Sequence, residues 1–461
     1  MSKRSNAIDI PTHWYNIISD LPFELPPDIQ QEGRAGSGGN FKFQVPMALV
    51  RQSVSKEREI AIPPEVRDRY RAWRPTPLVR ARRLEQSLGT KARIIYKYEG
   101  NNASGSHKLS TAIAQSYYYS LAGAKRLTTG TGAGQWGTAL AIGCQAFGLE
   151  CKVYMVGTSF RQKPYRKTIM QLYGAEVVPS PSPDTEVGAR LLKQGKMDAG
   201  NIAFAVTEAL EDALSSEGTQ LSVGSGEAYS ILHSTLIGLE ARSQLAELGE
   251  EADVVIGSLG AGSNFGGMAF PFLQDRLRGA SDVRCVTAEP SACPKLTRGS
   301  YCYDYTDGSG VTPLQKMYTL GHQFRTAGMH AGGLRYHACS KLVSALYHHR
   351  FIEAVACSQV DVFESAALFT RLEGIVPAPE AAHAVHVAIQ EAERARQQGK
   401  QPTIVFCLSG HGLFDLAAYA EHLEGRLQDV AVTDEDIRTS LRALPVVTEN
   451  AGQEKVGAYH G

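Results

Sequence analysis

Residues 125–156, KRLTTGTGAGQWGTALAIGCQAFGLECKVYMV, decide the fold. KRLTT (125–129) reads as a strand, GTALAIGCQAFG (137–148) as a helix with apolar residues at helical spacing, and CKVYMV (151–156) as a second strand. A strand, a glycine run, a helix and another strand make one crossover unit of a parallel sheet covered by helices. Upstream, RIIYKYE (93–99) predicts a strand and HKLSTAIAQSYYYSLAG (107–123) a helix. Downstream, a helix ends near Tyr173-Gly174 and AEVV (175–178) follows as a strand. A second series repeats the alternation: LIGLEARSQLAEL (236–248) as helix, DVVIGSL (253–259) and VRCVTAE (283–289) as strands, PEAAHAVHVAIQEAERAR (379–396) as helix and TIVFCLS (403–409) as strand. The fold class is therefore α/β.

The ends differ from this body. Residues 1–60, with GRAGSGGN at 33–40, read as an irregular arm holding one short helix, a wrapped extension or subunit contact. At the other end Thr433 caps a helix over 434–443 that Pro445 stops. A basic helix face at Arg161, Lys163, Arg166 and Lys167 reads as solvated surface.

Composition narrows the classes. The 461 residues carry 47 Lys and Arg against 47 Asp and Glu, so nothing here is built to bind nucleic acid or another polyanion. No stretch approaches the roughly 20 apolar residues of a membrane span, and the first thirty residues lack a signal core, so the expected location is the cytoplasm. The eight Cys are scattered without a CxxC pair, and neither His348-His349 nor His383 with His386 has partners at metal-ligand spacing. They are expected as reduced thiols, with no metal site. The 45 Gly, about a tenth of the chain against roughly 7% on average, are the anomaly.

Three short segments lie where strands end, the place where open α/β sheets put ligands. In GSHK (105–108) Ser106 is the expected N-cap and Lys108 falls in the first turn of a helix, where the dipole disfavours a cation. It is either a surface Lys or an amine of lowered proton affinity, fit for a Schiff base. GTGAGQWG (130–137) satisfies G-x-G-x-x-G, but the next strand ends in Gly157-Thr158-Ser159 with no acid for a ribose. Its backbone N–H groups suit a small carboxylate at a helix start instead. GSLGAGSNFGG (257–267) can wrap one phosphate with Gly260, Ala261, Gly262, Ser263 and Asn264, and it lacks the Lys of a nucleotide loop. A phosphate cradle, a carboxylate cradle and a Schiff-base lysine describe a pyridoxal phosphate enzyme acting on an amino acid.

RPTPLVRARRLEQSLGT (74–90), GSHK, TGAGQWG (131–137), GSN (262–264), MYTLGHQF through HAGGLRYH (317–337), EGIVPAPEAAHA (373–384) and LSGHG (408–412) resemble the tryptophan synthase β-subunit family, in detail its second, stand-alone type with Trp136 and His411. The similarity runs from about Trp14 to Leu444. It implies a fold-type II pyridoxal phosphate enzyme with two three-layer αβα domains and the cofactor in the cleft between them. The implied domains are an arm (1–60), a smaller domain (105–225), a larger one (61–104 with 226–430) and a C-terminal helix and tail (431–461).

The resemblance also implies roles. Lys108 is the Schiff-base lysine and the base at the α-carbon; His107 lies by the phosphate, which Gly260, Ala261, Gly262, Ser263 and Asn264 hold. Ser409 meets the pyridine nitrogen and Glu373 sits near the phenolic oxygen. Thr131, Gly132, Ala133, Gly134, Gln135 and Trp136 bind the substrate carboxylate. The implied reaction is β-replacement, in which L-serine gives an aminoacrylate to which indole carbon 3 adds, yielding tryptophan. The implied assembly is a homodimer without an α-subunit, and a monovalent cation, frequent in that family, is left open.

The chain departs from the family at several positions. Gly130 stands where the family has a catalytic glutamate, and is read as a missing carboxylate rather than a backbone requirement. Ser110 replaces an Asn, Ala261 a Gly, and VGSGEAYSILH (223–233) a more apolar stretch. Either Glu227 supplies a carboxylate from another side, turning the reaction toward indole nitrogen or a substituted ring, or it is a first-turn residue facing solvent. A nucleophile needing no such base, a phenol, thiol or amine, is the other possibility. Serine or threonine deamination, threonine synthesis and a catalytically weak cofactor-bearing partner subunit remain as alternatives.

Overall fold

The structure, a computed structural model, describes residues 9–30, 45–195, 202–308, 310, 312–326, 328–445 and 447. GRAGSGGN (33–40) lies outside the described residues.

Two sheets organise the chain. The smaller has four parallel strands in the order Glu176–Ser180, Glu150–Val156, Arg126–Thr131, Thr219–Leu221. The larger has the order Glu353–Cys357, Arg284–Pro290, Val254–Ser258, Thr403–Leu408, Arg93–Tyr98, Leu78–Arg80, parallel except for the last edge strand. VVIGS and TIVFCL, at its centre, are buried at every position. That is the mark of strands covered on both faces, and it explains why they read as continuous apolar runs.

The helix Pro379–Gln397 covers one face of this sheet through Ala381, Ala384, Val385, Ala388 and Ala392. Ser263–Leu277 covers the other through Phe265, Met268, Ala269 and Leu273. Phe406 is fully buried on the first face, and truncating such a residue to Ala costs about 3–5 kcal/mol. The arm wraps this body: His13–Tyr15 pairs with Glu59–Ala61, Trp14 is fully buried against His233, and the Tyr15 N–H donates to Thr235 Oγ1.

The basic face expected at Arg161 to Lys167 is corrected in part. Arg166 is 1% exposed and Lys163 8%, because the helix Pro164–Leu172 packs on the loop after Ser409. Lys163 pairs with Asp415, Arg166 lies 3.7 Å from the same carboxylate, and its guanidinium covers Phe414 at 4.8 Å. Among the described residues no helix is long and apolar enough to cross a membrane, and no three His, Cys, Asp or Glu side chains are grouped to hold a metal. All eight Cys are free thiols.

Candidate active site

The C-terminal ends of both sheets face one narrow cleft lined by His107, Lys108, Gln135, Gly260–Asn264, Glu380 and Ser409. A larger groove lies at the opposite strand ends, around Asp253, Arg284 and Glu391, and contains none of the glycine loops.

Lys108 opens the helix Lys108–Leu121 and points into the cleft. Burial lowers its amine to about 8, against a partial upward pull from Glu380. The expected cap is corrected: helical geometry already begins at His107, without a side-chain cap bond, and the Ser106 N–H donates to Ser104 Oγ. His107 stands between two hydroxyls, Nδ1 at 2.7 Å from Ser409 Oγ and Nε2 at 2.9 Å from Ser263 Oγ. Burial, and then the Lys108 charge, hold this imidazole well below its ordinary value, so it is neutral near pH 7.

The two glycine loops precede helices, Gln135–Ala146 and Ser263–Leu277, whose first-turn N–H groups have no helical acceptor and suit anions. Gly262 has φ +138°, and a Cβ there would lie 2.7 Å from Ser340 Oγ, so only glycine lets this backbone curl. Asn264 spends its side chain on the scaffold, accepting from the Ser258 N–H and donating to Cys407 Sγ. Thr131 Oγ1 accepts from the Gly137 N–H, and Trp136 turns behind the loop to donate to Thr129 Oγ1 at 2.7 Å.

One acid is reassigned. Glu373 ends its helix outside the cleft, its Oε1 accepting from the Leu84 N–H at 2.9 Å. Glu380, seven residues on, occupies the cleft: Oε1 accepts from Gln135 Nε2 and the Gly333 N–H, and Oε2 is buried without a partner. Burial works to raise this carboxyl, but Lys163 and these hydrogen bonds hold it below the ordinary carboxylate value.

Gly130 is also reinterpreted. A Cβ there would lie 2.5 Å from Val206 N and 2.6 Å from Ala205 C, both backbone atoms of the helix Ile202–Ser215. The glycine is required for close packing, and that helix fills the space a longer side chain would need. Ser110 accepts from Arg74 Nη2 at 2.8 Å, at the rim of a fully buried cluster in which Arg74 pairs with Glu99 and Glu240, and Lys97 with Glu240.

Glu227 is not a first-turn residue facing solvent. It is the N-cap of the helix Ala228–Ser234, enclosed by protein though partly solvent-accessible, and without a side-chain cap bond. Burial, with Asp28 adding, raises its carboxyl to about 7. Tyr119, Tyr229 and Tyr336 lie within electrostatic reach; burial and then neighbouring charges, Glu227 among them, raise these phenols, and Tyr229 Oη is buried without a partner.

These residues fit pyridoxal phosphate. The cleft joins a lysine of lowered proton affinity to the glycine loop Gly260–Asn264 and to Gln135 of the other glycine loop, with buried unpartnered oxygens on Ser258 and Glu380. Comparison agrees. A family model described as "Pyridoxal-phosphate dependent enzyme" matches residues 70–410. "Tryptophan synthase beta chain 2" of Methanothermobacter thermautotrophicus is 52% identical over 420 residues, covering 91% of this chain and 98% of its own. The protein of that name from Pyrococcus abyssi is 49% identical over 432 residues, with 93% and 98% covered.

Among solved structures, an L-serine ammonia-lyase from Rhizomucor miehei has a TM-score of 0.57 at 15% identity, covering 76% of this chain and 98% of its own. Maize serine racemase has 0.55 at 14%, covering 79% and 98%. At such identities these two speak for the shared fold alone. Family model, relatives and fold agree that the chain belongs to the fold-type II pyridoxal-phosphate-dependent enzymes, in the family of the tryptophan synthase β chains.

Proposed function

We propose that this enzyme catalyses β-replacement: L-serine, or a related amino acid with a β leaving group, is joined through its β-carbon to indole or an indole-like aromatic nucleophile. The product is tryptophan or a tryptophan-like amino acid. The observation that carries this reading is that Lys108, the glycine loop Gly260–Asn264, Gln135 of the second glycine loop and the strand-end hydroxyl of Ser409 share one cleft.

Pyridoxal phosphate supplies the electron sink that lets the α-hydrogen and then the β-substituent leave. The chain's residues do the rest. The N–H groups of Gly260 to Asn264 would hold the phosphate, and those of Thr131 to Trp136 would hold and orient the substrate carboxylate. Lys108, its amine near 8, accepts and returns the α-proton at Nζ close to neutral pH. Ser409 would offer the bound ring's nitrogen a hydroxyl rather than a carboxylate, which would leave that nitrogen neutral and favour loss at the β-carbon over transamination. Glu380 buttresses the carboxylate loop through Gln135.

The helix Ile202–Ser215 occupies the flank beside Gly130; Glu227, two residues beyond Ser225 of the cleft wall, is the carboxylate we assign to the nucleophile's polar hydrogen, which would direct attack toward ring nitrogen or a substituted ring. The inferred assembly is a cytoplasmic homodimer; the relatives' name "beta chain 2" is consistent with a form that stands without an α-subunit, and light scattering would show two copies. The direct test is spectral. Adding L-serine to purified holoenzyme should shift the cofactor's near-ultraviolet band, and a Lys108→Met variant, which lacks the base at the α-carbon, should consume no serine. An unshifted wild-type band sinks the reading.

A further inference from the structure

Lys295 is fully buried, and among the described residues no carboxylate lies within ion-pair distance of it, although its charge acts through space on the buried carboxyl of Glu289. Its Nζ donates to two main-chain carbonyls, Leu259 O at 3.1 Å and Leu334 O at 3.4 Å. A buried ammonium without a paired acid is strongly unfavourable unless acceptors are arranged around it, so this side chain needs an account.

Both carbonyls belong to the site. Leu259 lies between the strand Val254–Ser258 and the cradle that begins at Gly260. Leu334 ends the turn Gly332–Leu334, which closes over both glycine loops: a Cβ on Gly132 would lie 3.0 Å from Gly332 O, and one on Gly260 2.7 Å from Gly333 O. The same turn gives its Gly333 N–H to Glu380. The lysine is itself fixed, because Glu289 accepts from the N–H groups of Leu296 and Thr297 and from the Thr297 hydroxyl, clamping the turn that carries it.

A single positive charge that draws together carbonyl oxygens of separate loops does the work of a bound monovalent metal ion. We propose that Lys295 is the built-in cation of this site, a positioning residue that holds the phosphate cradle against the Gly332–Leu334 turn, so that the enzyme needs no inorganic monovalent cation. The monovalent cation left open by the family resemblance is thus replaced by a side chain. The proposal rests on reading this cleft as the β-replacement site.

Turnover and thermal melting would be measured for the wild type and Lys295→Met in tetramethylammonium buffer, then with sodium, potassium, ammonium or caesium chloride at constant ionic strength. The wild type should change less than about twofold in rate across all of these and keep one melting temperature, whereas Lys295→Met should lose about 10- to 100-fold. Ammonium or potassium should restore part of that rate and raise the variant's melting temperature, which lost packing alone would not do. Several-fold activation of the wild type by a small cation overturns the proposal, even if the variant fails to fold. So does a folded variant that no cation rescues. If the wild type makes no β-replacement product, the reaction reading fails, while the melting temperatures still test the lysine.

Discussion

Gln135 donates through Nε2 to Glu380 Oε1 at 2.9 Å, a bond that ties the carboxylate loop of the smaller sheet to a helix of the larger one. Removing it should loosen the substrate site without unfolding either sheet. Glu380→Ala, which removes the acceptor, is expected to lower the rate of β-replacement by about 10- to 100-fold, the usual cost of an outer partner of a reactive group. Glu373→Ala, which removes the acceptor of the Leu84 N–H outside the cleft, should leave the rate unchanged and cost about 1 kcal/mol of stability. Steady-state kinetics and urea melts of the pair decide which acid serves the site.

Glu227 makes a pH prediction. Its carboxyl, raised to about 7 by burial, is mostly neutral at pH 6 and mostly ionised at pH 8. If the carboxylate accepts the nucleophile's N–H, the addition step should rise with pH through about 7, and Glu227→Gln should be slow and flat across that range. The serine-induced spectral shift should survive the substitution.

Stability gives the opposite sign at the same residue. A folded value above the ordinary carboxyl value of 4.5 favours the protonated form, so the contribution is full below about 4.5 and is lost as pH rises through about 7. Glu227→Gln should therefore raise the melting temperature relative to wild type at pH 8 but not at pH 5. Calorimetry at the two pH values reads this directly.

Gly130→Glu is expected to destabilise, because its Cβ meets backbone atoms of the helix Ile202–Ser215 at 2.5–2.6 Å rather than open cleft. Even Gly130→Ala should cost about 1–3 kcal/mol in denaturant melts, as overpacking does. A tolerated alanine would mean that the helix yields easily.

Asp415→Asn removes the counter-charge of two nearly buried cations, Lys163 and Arg166. Leaving buried charges uncompensated should cost about 3–5 kcal/mol, visible as a lower urea midpoint.

The strand, glycine run and helix units were legible because their periodicities differ and their glycines sit at the switch, as at Gly134 and Gly262. Other features depended on distant contacts. Glu373 and Glu380 share one short motif, and the break at Gly374, with φ +76°, decides which reaches the cleft. Arg166 carries helical spacing that fits a solvated face, but Phe414 and Asp415, some 250 residues away in sequence, bury it. Gly130 looked like a chemical loss because its real neighbour, the helix Ile202–Ser215, was not among the expected elements. Lys295 carried no signal, since nothing in PSACPKLTRGS (290–300) announces two carbonyls donated by other segments.

The central claim is that this cleft joins the β-carbon of L-serine to an aromatic nucleophile. Purified holoenzyme given L-serine carrying carbon-13 at the β-position, together with indole, should yield an amino acid containing both the label and the indole ring, read by mass spectrometry and carbon NMR, with the label's shift reporting bonding to ring nitrogen or carbon. Label recovered only in pyruvate, with indole and a panel of phenols, thiols and amines untouched, would contradict it.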